Sequence, residues 1–261
     1  MIHTPEAIRT ALKAFLAERN DVVAAWEGGA AATGYLDEYS DLDLEIVLGT
    51  GTPDELFQVL DAYFEQQYGI LKRFRMPEPA WHGMSQTFYL LKDTPPLFYC
   101  DIAVVMADNP RKFTEPDRHG NSVIWFDKTG VFKATETPPE EARQLAERLF
   151  HLATDFDWLS LIELRKALAR QNWIAAHLNY LQFLNRNLVI LLNLRYRPCK
   201  ADFGIRYAER EFPEEVTAKL EDLLRVTDVQ DIARRLPQAQ KWFEELKEEL
   251  TPDFQSKGGQ P

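Results

Sequence analysis

The pattern of apolar residues in this chain changes at Thr137-Pro138-Pro139, from strands mixed with helices to helices almost throughout, and that change limits the folds open to it. Before it, short runs with a strand's period of two stand among helical segments. After it, nearly everything from Glu140 to Leu250 recurs at three- and four-residue steps, the period of helices. Leu145, Leu149, Leu152, Phe156 and Leu159 form one predicted stripe; Trp173, His177, Leu181, Leu184, Leu188 and Leu191 form a second. Helices are expected near 214–225 and 228–249. The expected fold class is therefore α+β: a mixed sheet with flanking helices over residues 1–136, a helical bundle over 137–250, and a disordered tail over 251–261.

Within the first part, Thr4 and Pro5 read as the start of a helix over 5–19. VVAAW (22–26) reads as a strand, followed by a Gly- and Ala-rich loop. In LDLEIVL (42–48), Leu42, Leu44, Ile46 and Leu48 share one face while Asp43 and Glu45 share the other. Pro53 opens a helix to about Tyr68. Strands are expected at 70–75, 86–91 and 97–105, with a pair near 122–126 and 131–134.

The net charge of -11 repels phosphate backbones, which disfavours general nucleic-acid binding, and the same field draws in a cationic small molecule. Two distant cysteines, Cys100 and Cys199, support neither a disulfide scaffold nor a zinc cluster. MIHTPEAIRTALKAFLAERN carries charges throughout, unlike a signal peptide, and no run approaches the roughly 20 apolar residues that span a bilayer. A cytoplasmic location without membrane association is expected; a homo-oligomer is compatible with the sequence.

The chemistry is concentrated between Trp26 and Val47. A Gly-rich turn separates two short strands, and Asp41-Leu42-Asp43 opens the second. Residues two apart on a strand project from one face, roughly 6.5–7 Å apart, so Asp41 and Asp43 can reach a shared cation. Gly28, Gly29 and Gly34 let backbone N–H groups approach a triphosphate. Oxygen ligands with substrate phosphates suit Mg²⁺. Asp-x-Asp alone equally describes a solvated polar hairpin.

Taken together, these residues resemble the DNA polymerase β-type nucleotidyltransferase superfamily, in its aminoglycoside- and lincosamide-modifying branch. Gly29 and Gly34 take the two glycine places of that motif, and Ser40-Asp41-Leu42-Asp43-Leu44 matches its Ser-Asp-x-Asp-Leu ending. The resemblance implies a third carboxylate on a nearby strand, and Asp101 in LFYCDIAVV fits. An acidic residue inside an apolar strand is costly unless paired or metal-bound. Ala30 stands where the family has a serine, so phosphate binding here would rest on backbone N–H groups. The resemblance implies Asp41, Asp43 and Asp101 as catalytic and metal-binding residues holding two Mg²⁺ ions. Gly28, Gly29, Ala30, Gly34 and Ser40 would line the nucleotide. The implied reaction transfers a nucleoside monophosphate, AMP from ATP or another from its triphosphate, to a hydroxyl of a cationic or polyhydroxylated acceptor such as an aminoglycoside. A protein-modifying antitoxin-type transferase and a degenerate nucleotide-binding module are the alternatives.

Glu163, beside Phe156, Leu159 and Ala167, is the first candidate for a general base and Glu45 the second; a solvated face accounts for Glu163 equally well. Lys200 and Arg206, in the basic run 195–207, are candidates for phosphate binding, against charge balance at a helix end. PEPAWHG (77–83) reads either as a base-stacking loop or as a packed turn. Arg170 and His177 resemble the Arg-His pair of HEPN ribonucleases, and a satisfied core histidine is the favoured reading of His177.

Overall fold

Thr4 accepts a hydrogen bond from the Ala7 N–H (3.2 Å) and Pro5 presets the first helical φ. Helix α1 (Pro5–Ala17) begins there and turns Ile8, Leu12 and Leu16 inward. The structure is a computed structural model that describes residues 2–78, 80, 82–110 and 112–254. It divides into two units, Met1–Glu136 and Thr137–Pro261, each with its own core.

In the first unit, α1 is followed by β1 (Val22–Glu27), α2 (Gly29–Thr33), β2 (Leu42–Leu48) and α3 (Pro53–Gln67). Then come β3 (Ile70–Arg75), β4 (Ser85–Leu91), β5 (Cys100–Met106), α4 (Pro116–His119) and β6 (Val123–Asp127). Thr52 and Glu55 form a reciprocal capping box that starts α3 at Pro53. The six strands lie in the order β3-β4-β5-β2-β1-β6; β2 and β5 run parallel and the other neighbours antiparallel. The strand after Pro95-Pro96 begins at Cys100 rather than 97, because Phe98 N–H closes a turn on the Pro95 carbonyl (3.0 Å).

One sheet face carries Leu42, Leu44, Ile46, Leu48, Cys100, Ile102 and Val104, covered by α1 and by Leu56, Phe57, Leu60 and Phe64 of α3. The other carries a smaller cluster, Ala24, Trp26, Val47, Met84, Ala103 and Val105. Residues 131–134 correct one expectation: they form no strand. Val131 and Phe132 pack on the smaller cluster instead, and Asp127 accepts the N–H groups of residues 129–132 and turns the chain away from the sheet. The expected Gly-Ala loop contains α2, closed by Gly34 in the left-handed region (φ 75°).

The second unit comprises α5 (Pro139–Thr154), α6 (Asp157–Ala169), α7 (Trp173–Phe183), a π-helical turn (Leu184–Leu188) and α8 (Val189–Tyr196). A 3₁₀ turn (Pro198–Lys200), α9 (Ala208–Glu211), α10 (Glu214–Leu224) and α11 (Val229–Phe254) complete it. The first predicted stripe is out of phase. Ala146, Leu149, Phe150 and Ala153 form the buried face of α5 and leave Leu152 exposed beside it; Phe156 and Leu159 are exposed because α5 ends at Thr154 and a turn resets the phase before α6. In the second stripe Leu184, Leu188 and Leu191 are buried, but Ala176, Tyr180 and Phe183 precede them instead of Trp173, His177 and Leu181. The π-helical turn carries an extra residue and rotates the face by that amount. His177 is accordingly half-buried, not a core residue, and stacks on Trp173 (4.5 Å, 15°). Residues 251–254, expected as tail, are the last turn of α11; 255–261 lie outside the described residues.

Candidate active site

The alternation in β2 that sends Leu42, Leu44, Ile46 and Leu48 under α1 and α3 leaves Asp43 and Glu45 on the opposite face. Parallel pairing with β5 sets Asp43 opposite Asp101 and Glu45 opposite Ala103. Adjacent strands lie about 4.8 Å apart, so the two aspartates stand side by side at the start of both strands. Asp41 immediately precedes β2, and its carbonyl accepts from Arg9 Nη2 (3.0 Å). The same guanidinium donates through Nε to Glu27 Oε1 (2.8 Å), so α1 pins the end of β1 to the start of β2.

Each aspartate has its own support. The Tyr99 hydroxyl meets Asp41; burial first, then the hydrogen bond to Asp41 and its charge, push the phenol's pKa up. Asp43 lies against the bare Cα of Gly29: a Cβ there would sit 1.6 Å from Asp43 Oδ2. Asp101 Oδ1 accepts from Gln86 Nε2 (2.6 Å), and Gln86 Oε1 lies 2.9 Å from His82 Nε2. Phe88, directly opposite Asp101, stands between Phe74 and Tyr99 in an aromatic row (centroids 6.3 and 6.2 Å) on partly exposed sheet surface.

Glu45 is the deepest of the acids. Its Oε2 is buried without a hydrogen-bond partner, and so is the indole nitrogen of its cross-strand partner Trp26. Burial pushes the Glu45 carboxyl well above its usual range; the indole, close but not aligned for a well-formed hydrogen bond, lowers it a little, and Glu115, Asp43 and Asp101 raise it further. Glu115 reaches this neighbourhood because the α4 segment closes tightly over α2. Gly120 allows the approach, since a Cβ there would lie 2.5 Å from the Ala32 carbonyl oxygen.

The other expected residues divide. The Gly28 N–H is engaged by the Asp43 carbonyl (2.8 Å) and the Gly34 N–H by the Ala30 carbonyl, so neither is presented to a phosphate. Ser40 donates to Asp37 Oδ1 (2.8 Å) and accepts from the Asp37 N–H (2.9 Å), shaping the loop ahead of Asp41. In the second unit, Lys200 pairs with Glu211, as does buried Arg197 (2.7 Å). Arg206 Nη2 lies 3.5 Å from the Tyr207 hydroxyl. Glu163 is half exposed and pairs with Lys166 (2.7 Å); the stripe expected beside it does not exist, since Phe156 and Leu159 face solvent. Pro79 and Trp81 of the expected stacking loop lie outside the described residues, while His82 is buried. Sequence reasoning missed Arg9, Gln86, Tyr99 and Glu115. Arg9 and Gln86 had a weak signal, as polar residues beside the apolar face of a helix and on an alternating strand; their partners depend on pairing.

The donor chemistry fits a hard divalent cation: carboxylates on one sheet face, a cradle at Gly29 that a side chain would fill, and a buried acidic oxygen without a partner. Among the described residues, no group of three or more His, Cys, Asp or Glu side chains is gathered as it stands to hold a metal ion. The aspartates are instead turned to Tyr99, Gly29 and Gln86. Among the described residues no helix is long and apolar enough to cross a membrane.

No protein-family profile matches the chain, and no curated protein matches it in sequence. Solved structures do. An aminoglycoside 6-adenyltransferase from Bacillus subtilis is 11% identical, aligned over 99% of this chain and 94% of its own, with a TM-score of 0.39. A nucleotidyltransferase-like protein from Exiguobacterium sibiricum 255-15 is 13% identical, over 95% of this chain and 76% of its own, with a TM-score of 0.37. Likenesses this distant say nothing of substrate.

Proposed function

We propose that the chain is a metal-dependent nucleotidyltransferase that transfers a nucleoside monophosphate, AMP from ATP in the first instance, to a hydroxyl of a small acceptor. The observation that carries this reading is the register of β2 and β5, which sets Asp43 beside Asp101 with Asp41 one strand-step away. Asp41, Asp43 and Asp101 would hold Mg²⁺, two ions in the full reading; when bound, the cation offsets charge on the phosphates and acidifies the attacking hydroxyl.

In the proposed reaction the acceptor oxygen bonds to the α-phosphorus as the bond from that phosphorus to the bridging β-phosphate oxygen breaks, and pyrophosphate leaves. Arg9, through the Asp41 carbonyl, and Gly29, through its missing side chain, keep the start of β2 in one conformation. The hydroxyl proton needs an acceptor. Glu45, with Oε2 buried, lacks the solvent access for that role. The charge of -11 favours a cationic, polyhydroxylated acceptor such as an aminoglycoside.

The test is mass-spectrometric detection of nucleotide adducts on an acceptor panel with ATP and Mg²⁺. Loss of the adduct in Asp43→Asn and Asp101→Asn variants of unchanged melting temperature is expected; undiminished labelling in both would sink the assignment. One observation favours a second reading, a nucleotide-binding module without turnover: Ala30 has no hydroxyl, and the Gly28 and Gly34 N–H groups are engaged internally. Calorimetry showing ATP binding, with no adduct on any small molecule or protein, would establish it.

A further inference from the structure

Asp101 is held by a two-residue chain that reaches it from the neighbouring strand. Gln86 lies opposite Ala103 in the β4–β5 ladder, so Asp101, two residues along, is its diagonal neighbour on the same face. Such neighbours are about 7–8 Å apart at the backbone, within reach of a glutamine. Its Nε2 donates to Asp101 Oδ1 at 2.6 Å.

An amide can present either its nitrogen or its oxygen, and a carboxylate tolerates only the nitrogen. The choice is made by His82, which is buried at 6% exposure. The Met84 N–H donates to His82 Nδ1 (3.1 Å), so Nδ1 carries no proton and the ring hydrogen is on Nε2. Nε2 then donates to Gln86 Oε1 (2.9 Å), which leaves the amide nitrogen facing Asp101. The backbone thus sets the tautomer, the tautomer sets the amide, and the amide sets the carboxylate rotamer. The Phe113 ring, edge-on to the imidazole at 6.1 Å, packs beside this chain.

We infer that His82 and Gln86 are positioning residues that hold Asp101 in the conformation from which it binds a divalent cation. The inference rests on the proposed metal role of Asp101. Removing outer partners of metal ligands commonly lowers metal affinity about 10–100-fold.

The test is Mn²⁺ binding to the full chain, followed by electron paramagnetic resonance, with melting temperature measured in parallel. Gln86→Met is expected to weaken Mn²⁺ binding by about 10-fold or more. His82→Phe is expected to weaken it in the same direction, and His82→Gln, which keeps a donor near the Nε2 position, to restore most of the loss. The double variant should bind no more weakly than Gln86→Met, because His82 acts through Gln86. Should Gln86→Met fail to fold, Gln86→Asn withdraws the donor by one methylene and carries the same expectation. Wild-type affinity in a folded Gln86 variant, or additive losses in the double variant, would overturn the relay. Asp101→Asn separates the two levels. If it leaves Mn²⁺ affinity unchanged, the metal assignment falls and the relay with it. If it weakens binding while Gln86→Met does not, the relay alone is refuted.

Discussion

Gly29 offers the sharpest perturbation of the site, and Gly34 supplies its control. Both have positive φ, 52° and 75°, so alanine at either meets the left-handed penalty of about 1–2 kcal/mol. About 0.4–1 kcal/mol of that is offset by the reduced freedom of the unfolded chain. At Gly34 nothing lies within 4 Å of a new Cβ, and the account ends at about 1 kcal/mol of destabilisation. At Gly29 the new Cβ would stand 1.6 Å from Asp43 Oδ2 and 2.4 Å from its Cγ, closer than any non-bonded contact. The Asp43 side chain must then leave its rotamer, adding about 0.5–1.5 kcal/mol. A shift on the order of 1 Å in a reacting constellation costs roughly 100-fold in rate. Urea denaturation of each variant and adduct formation with ATP are the assays. Gly34→Ala should melt slightly early with transfer nearly intact, and Gly29→Ala should lose about twice the stability and nearly all transfer. If the two variants match in both assays, Asp43 is not held by Gly29 and the account is wrong.

Three further outcomes follow from the structure. Partial burial pushes the Asp127 carboxyl up, but it accepts four backbone N–H groups, which outweigh burial and hold it below its usual value of 3.8; with solvent screening, Asp127→Ala should cost about 1 kcal/mol at neutral pH. The contribution is present above pH 3.8, the unfolded value, and is lost as pH falls through the lower folded value; melts from about pH 7 downward should show the variant and wild type converging toward the acid end. Arg197→Met should cost about 1–3 kcal/mol, because Lys200 still pairs with Glu211 while Asn193 Oδ1 and the Gly204 and Arg206 carbonyls lose the guanidinium's donors; Lys200→Ala, which leaves the Arg197 pair in place, should change nucleotide KM little, and denaturation and steady-state kinetics check both. Glu163→Gln should lower kcat about 100-fold or more with KM for ATP unchanged if it accepts the acceptor's proton, and an unaltered kcat would remove it from the mechanism.

The sequence was most informative where a local rule acts alone. Thr4-Pro5 and Thr52-Pro53 start helices because capping needs only neighbours a turn away. Alternation in 42–48 separated a core face from an acidic one because the strand's period of two is local geometry. It misled where periodicity was read across a break: the turn at Asp155-Phe156 and the π-helical turn at Leu184–Leu188 each rotate the apolar face, and with the first went the reason for placing Glu163 beside a stripe.

By itself, then, the sequence determined that Asp43 and Glu45 lie opposite the buried leucines of β2, and that a helical period takes over from Glu140. Which acids meet which partners was decided only in three dimensions. The pairing of β2 with β5 across a crossover of 51 intervening residues, Gly49 to Tyr99, sets Asp43 beside Asp101. The pairing of β4 with β5 brings Gln86, and His82 behind it, to the same carboxylate. Strand register is a property of two segments together, set by the packing of whole faces against α1 and α3, and no single segment encodes it.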